Sequence, residues 1–241
     1  MWLRAVTALI LLTPFMAAPA HASEGSPFQS RVYATREGLV GKTTANGHVI
    51  TERDHFVALP SRRGLSSKGG GEYTVKVCTE DGARCEYAPV WDVGPWNTHD
   101  DYWNELREWW CDLPRGLPMA QAAIEGGYNR GKDEFGRTVS NPAGIDLADG
   151  TFWDGLGLTS NAWIIATFLW TSGSPASGKV AVESGLLNVR SGPGTGYRIV
   201  AVAASAAVLP LDCQTGDWYR LSDGNYVHSG YVTSEGTAPD C

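Results

Sequence analysis

Leu187-Asn-Val-Arg-Ser-Gly-Pro-Gly-Thr-Gly-Tyr197 is the most specific string in this chain of 241 residues. Leu187 and Val189 alternate with polar neighbours, and glycines then crowd the stretch from Ser191 to Gly196. Glycine reaches positive φ at no steric cost and proline presets its own, so a strand here runs into a tight turn. Working outward, Val180-Ala-Val182, Ile199-Val-Ala-Val202, Val208-Leu-Pro-Leu211, Trp218-Tyr-Arg-Leu221 and Tyr226-Val-His228 are short β-prone runs split by Gly, Ser, Pro and Asp. That rhythm predicts a small barrel over residues 179–241. The small, polar run before it, residues 172–178, reads as a flexible linker.

Upstream, Val32-Tyr-Ala34, His55-Phe-Val-Ala-Leu59, Tyr73-Thr-Val-Lys-Val77, Tyr87-Ala-Pro-Val-Trp91 and Trp163-Ile-Ile-Ala-Thr-Phe-Leu169 are β-branched or aromatic and short, which predicts strands. The texture changes over residues 97–139. Asp100 to Asp112 can place Tyr102, Leu106, Trp109 and Trp110 on one side of a helix, and Met119 to Tyr128 can form a second. The expected fold class is therefore all-β, with a partly helical insert in the first domain.

Two resemblances refine this. The Leu187–Tyr197 string, with Gly216-Asp-Trp-Tyr-Arg-Leu221 and Tyr226-Val-His-Ser-Gly-Tyr-Val232, resembles bacterial SH3 domains. The series Gly41-Lys-Thr-Thr-Ala-Asn-Gly47, Asp54-His-Phe-Val-Ala-Leu-Pro60, Trp91-Asp-Val-Gly-Pro95 and Gly144-Ile-Asp-Leu-Ala148 resembles the double-psi β-barrel of rare-lipoprotein-A-like and expansin-like proteins. These imply a six-stranded double-psi β-barrel over residues 28–171, with the insert at 97–139, followed by an SH3-like barrel at 179–241. They also imply work on cell-wall glycan.

The N-terminus sets the compartment. Met1 to Arg4 is a basic start, Ala5 to Ala18 is apolar, and Ala20-His-Ala22 offers small residues for cleavage. Residues 1–22 read as a secretory signal peptide. The apolar stretch is short of the roughly 20 residues that cross a bilayer. No transmembrane segment is expected, and the mature chain is secreted, extracellular or wall-associated. Its formal charge moves from −7 to −8, because Arg4 leaves with the signal. So acidic a chain repels phosphate backbones, which excludes nucleic acid as a partner. All five cysteines lie in the mature part, where an oxidising compartment favours pairing. Cys78 with Cys85 suits a hairpin bridge and Cys213 with Cys241 suits the second domain, leaving Cys111 over. With no CxxC or HxxxH spacing, neither metal nor cofactor is expected, and His99-Asp-Asp101 reads as a solvated loop. A monomer is the default.

Asp92, in the D-x-G-P string, is the candidate acid. The barrel resemblance implies a catalytic or substrate-binding role for it. At the mouth of a groove with apolar neighbours, such a carboxyl can protonate a glycosidic oxygen. The alternative is a turn aspartate bonded to main-chain amides. His55 can assist the acid or simply pack in the core. Thr44, Asn46 and His48 are candidate sugar contacts, although Asn46-Gly47 is also an ordinary turn. Asp146 reads as an N-cap of a following helix. Trp96, Trp103, Trp109 and Trp110 can stack on sugar rings or form the insert's own core. Two departures from the lytic relatives stand out: His48 where they carry Glu, and Val93 where they carry Arg. Two functions remain open. One is a peptidoglycan lytic transglycosylase-like enzyme with Asp92 as acid/base and His55 assisting. The other is a non-catalytic, expansin-like glycan binder or wall-loosening protein. A serine or cysteine hydrolase is discounted, since no GxSxG elbow occurs and Cys111 has no evident base.

Overall fold

Along Phe28–Arg36 exposed and buried residues alternate until Val32 and Ala34 lie wholly inside, the period-2 signature of a strand with one face on a core. This is β1 of the computed structural model, which describes residues 25–173 and 176–241. The signal-peptide reading of residues 1–22 lies outside the described residues. β2 (Val57–Leu59), β3 (Thr74–Thr79), β4 (Cys85–Val93), β5 (Ala143–Leu147) and β6 (Ala162–Phe168) complete the first set. β1 pairs antiparallel with β6, β6 with β3, and β3 with β4. β4 then pairs parallel with β2, β2 antiparallel with β5, and β5 parallel with β1. The ring is closed, and it is the six-stranded barrel expected of the double-psi type. Val57, Leu59, Ile145, Leu147 and Phe168 fill it.

β7 (Ala176–Val180), β8 (Leu187–Arg190), β9 (Ile199–Ala203), β10 (Val208–Thr215), β11 (Trp218–Leu221), β12 (Tyr226–His228) and β13 (Val232–Glu235) form the second, SH3-like unit. β7 begins at Ala176, inside the run read as a linker, and is bonded on both sides, by β10 and β13. The two units are packed together. β4 and β9 pair over Glu86↔Val202 and Tyr87↔Ala203, and Cys85 and Tyr87 pack into the second unit's core. Asp223 accepts from the buried Tyr87 hydroxyl and pairs with Lys76 at 2.6 Å. The approach is close enough that a Cβ on Gly71 would sit 1.8 Å from the Ala206 carbonyl oxygen. Both expected disulfides, Cys78–Cys85 and Cys213–Cys241, are formed, and Cys111 is a free, exposed thiol.

The insert holds one of its two expected helices, α1 (Met119–Gly126). The amphipathic helix expected over Asp100–Asp112 is absent, and the reason is ionic. Asp100 accepts from the Met119 main-chain N–H at 2.7 Å and pairs with Arg107. Asp101 accepts from the Glu108 N–H at 2.6 Å, from Arg63 at 2.9 Å and from Asn104 at 2.8 Å. These buried carboxylates fold the segment on itself, competing with helical hydrogen bonding. Consecutive Tyr102 and Trp103 both enter the barrel core, while Leu106 and Trp109, expected on the same helix face as Tyr102, are exposed.

Candidate functional site

One register row organises the barrel's outer face. Ala58 on β2 pairs with Asp92 on β4 and with Asp146 on β5, and Asp146 pairs with Thr35 on β1. In sequence order along β2, β5 and β1, the flanking residues Val57, Leu59, Ile145, Leu147 and Ala34 face the core. Alternation therefore turns the row outward. Asp92 and Asp146 are both partly accessible. They stand two strand spacings apart, about 10 Å between Cα atoms, with Ala58 at the paired position on the strand between them.

Asp92 is anchored by one oxygen. Its Oδ1 accepts from the Ala45 N–H at 2.8 Å and from its neighbour Val93 at 2.7 Å, so the T-A-N-G turn is tied to the acid. Glu37 is the first residue after β1, which ends at Arg36, and Asp92 is among the carboxyls that face it. Burial, followed by the contact with Asp92, pushes Glu37 up to about 10. Asp146 accepts from the Thr35 hydroxyl. Burial raises it to about 6, the Thr35 hydrogen bond opposes the rise, and the Asp92 charge adds to it. Among the described residues no set of three His, Cys, Asp or Glu side chains is arranged to hold a metal ion.

The expected contacts divide. Thr44 is buried and donates to Asn46 Oδ1 at 2.7 Å, while Asn46 donates to the Ser67 carbonyl at 3.3 Å. Both hold the turn that grips Asp92. His48 bonds Asp54 through Nε2 at 2.6 Å and packs on Trp91, ring centroids 4.8 Å apart. His55 is not joined to Asp92. Its Nδ1 meets both oxygens of the fully buried Glu86 at 3.1 and 3.2 Å, and Thr151 also donates to Glu86. Burial works against the charged imidazole, but the Glu86 hydrogen bond and charge outweigh it and hold His55 above its usual range. His48, His55 and Trp91 line a separate cleft of about 220 Å³ closed by residues 182–185 of the second unit, which Asp92 does not reach.

Trp103 cannot contact a sugar: it is 0% exposed and stacks on Phe168 at 5.3 Å, so its expected binding role is withdrawn. Trp96 is partly buried against the small cluster of Met119, Ala120 and Val139, and donates to Asn141 at 3.0 Å. Trp109 is exposed and stacks on His99. Asp146 is no helix cap, since it sits within β5 and its carboxyl is turned to the neighbouring strand. Glu37 escaped the sequence reading.

Among solved structures, the chain is similar to the apo expansin of Clavibacter michiganensis, at 13% identity over 89% of this chain and 81% of that one, with a TM-score of 0.31. An aspartate-to-asparagine mutant of the Clavibacter michiganensis expansin in complex with cellohexaose is similar at 13% identity, over 88% and 93% of the two chains, with a TM-score of 0.30. No curated protein matches. A Bacterial SH3 domain is matched at residues 184–237. Residues 28–167, which contain the whole acid row, match the family described as Domain of unknown function (DUF8814), and the chain belongs to that family.

Proposed function

We propose that the protein acts outside the cytoplasm on a cell-wall glycan, peptidoglycan first, in a lytic transglycosylase-like cleavage with Asp92 as acid/base. The observation that carries this reading is the row itself: the partly accessible Asp92 and the more deeply set Asp146 stand at one register level on either side of a small residue, on regular strands. A sugar polymer can lie across such a bed. Cleavage of its glycosidic bond needs a proton delivered to the leaving oxygen and a base for the attacking hydroxyl, the work of carboxyl groups in contrasting environments. In a transglycosylase the sugar's own hydroxyl attacks, so no carboxylate nucleophile is required. Two disulfides suit an oxidising compartment. The described residues contain no helix long and apolar enough to cross a membrane. The SH3-like unit fits a wall-holding role, and strand pairing between β4 and β9 joins it to the barrel.

Purified peptidoglycan strands incubated with residues 23–241 are expected to yield soluble anhydro-sugar products by mass spectrometry. Asp92→Asn should lower their formation by roughly 10²–10⁴-fold, the usual weight of a general acid or base. A specific observation favours a second reading, a non-catalytic binder. The residue after the T-A-N-G turn is His48, and its ring is spent on Asp54. Retention on insoluble glycan at every pH with no product would establish that reading and end the first.

A further inference from the structure

We propose that the cavity between the two units is a binding site for a short zwitterionic peptide, one that carries both free amines and free carboxylates. It rests on the wall reading above for the source of the ligand alone, since such peptides hang from peptidoglycan strands. The cavity encloses about 500 Å³ and takes its walls from both units, a size and a place usual for a small-ligand site. Trp170, Leu169, Val208 and Pro210 give it apolar surface. Trp170 is held edge-on to Tyr73, Phe168 and Trp103, with ring centroids 5.1, 5.5 and 5.9 Å apart, so this wall is fixed before any ligand arrives.

Its charged groups come in both signs and are not paired with one another. Lys68 and Glu72 reach it from the barrel, Lys179 and Glu235 from the second unit. Among the described residues none of the four is in an ion pair. Lys179 Nζ donates to the Gly69 carbonyl at 2.7 Å, which leaves two of its three donors. Glu72 accepts from the Ser67 N–H at 3.2 Å and from the Ser67 hydroxyl, and a carboxylate has lone pairs beyond these. A neutral sugar has no use for four charges, and a phosphate would meet two carboxylates. A ligand of both signs matches them all, with carboxylates toward Lys68 and Lys179 and amines toward Glu72 and Glu235.

The loop that walls the cavity is also tied to the acid. Its Ser67 carbonyl accepts from Asn46 at 3.3 Å, in the turn whose Ala45 N–H holds Asp92 at 2.8 Å. Its Gly70 carbonyl accepts from Trp91 Nε1 at 2.8 Å, one residue before Asp92. Gly69 sits at φ +69°, and a Cβ on Gly70 would fall 2.3 Å from both Ser67 Oγ and the Glu72 carboxyl. Glycines are what let this loop bend so tightly at the cavity. Cavity and acid share one support, and a substrate carrying both sugar and peptide engages the two together.

Calorimetric titration of residues 23–241 with the tetrapeptide alanyl-γ-glutamyl-lysyl-alanine tests this. Saturable binding is expected, weakened by added salt, and chitohexaose, a neutral glycan, should not displace the peptide. Acetylating the amines or amidating the carboxylates should each weaken binding. Lys68→Met should cost the free peptide about 3–5-fold in affinity and leave the amidated form unchanged, while Glu235→Gln should cost as much and leave the acetylated form unchanged. Both side chains are exposed, and unaltered thermal unfolding of the variants separates lost binding from lost fold. No saturable binding, blocked forms that bind as tightly as the free peptide, or two variants with wild-type affinity overturn the proposal. Peptide binding with no sugar product from any strand refutes the cleavage reading and leaves the cavity assignment standing. Product release without peptide binding does the reverse.

Discussion

The molecule holds two carboxyl clusters of opposite design. In the insert, Asp100, Asp101 and Asp133 are buried and matched: Arg107, Arg63 and Arg137 and several main-chain N–H groups take their oxygens. On the barrel face, Glu37 is surrounded by Asp92, Asp146 and Asp149, and among the described residues one of its oxygens has no hydrogen-bond partner. Matched charges hold a segment in one shape, and here they replace the hydrogen bonds of an absent helix. Carboxyls set against one another do the reverse. They raise the cost of ionisation and keep a proton in place, a poor way to stabilise a fold and a good way to poise an acid. Burial acts on both clusters, so burial alone does not separate structure from chemistry. Partner sets do.

The strongest way to break this comparison is to remove a cation from the matched cluster. Arg107 is 6% exposed and also donates to the Leu117 and Pro114 carbonyls. Arg107→Ala strands the buried Asp100 carboxylate and is expected to cost about 3–5 kcal/mol. Thermal unfolding reads this, and the deficit should shrink as pH falls and Asp100 takes a proton. If the variant unfolds like the wild type at neutral pH, the knot does not order the insert.

The two clusters were not equally legible in the sequence. Strands could be read because their residues alternate, as at Ala162–Phe168, whose inward positions are Ile164, Ala166 and Phe168. The turn-rich second unit could be read because glycines punctuate it. Asp92 stood in a recognisable string. Asp146 was visible but misassigned, since Ile-Asp-Leu-Ala before a helical turn has the local chemistry of a cap. Its long-range pairings, parallel with β1 and antiparallel with β2, make it a strand residue. Glu37, in Arg-Glu-Gly, has the look of a solvated turn, and its partner lies 55 positions away across three strands. The insert failed for the same reason in reverse. Its helical periodicity was real, but long-range ion pairs to Arg63 and the burial of Tyr102 and Trp103 overrode it. Ser172–Gly178 has linker composition, yet strand pairing reaches into it from both sides.

The opposed cluster makes a prediction of opposite sign. Glu37 binds a proton in the fold that the unfolded chain releases near its ordinary value of 4.5, and it keeps that proton until about 10. The folded state thus holds more protons across this window, and stability falls as pH rises through it. Glu37→Gln removes the ionisation and should stabilise the protein above about pH 5, by about 1–2 kcal/mol near pH 8 after allowance for relaxation of the site. The two unfolding curves should converge below pH 4.5. A destabilised Glu37→Gln protein at pH 8 would place Glu37 with the matched carboxylates.

Asp146 stands between the two designs and gives the smallest effect. It has one good partner, the Thr35 hydroxyl, and one adverse neighbour, Asp92. Its folded value is raised from 3.8 to about 6, so stability falls as pH rises between those values and is level above them. Asparagine retains the oxygen that Thr35 donates to and cannot ionise. Asp146→Asn should therefore gain under about 1 kcal/mol at pH 7 and nothing at pH 3.5, with the change confined to a window narrower than that of Glu37. Urea unfolding across this pH range measures both. If Asp146→Asn equals Glu37→Gln in size and window, the adverse field belongs to the whole face, and contact with Asp92 ceases to mark Glu37 as its special member.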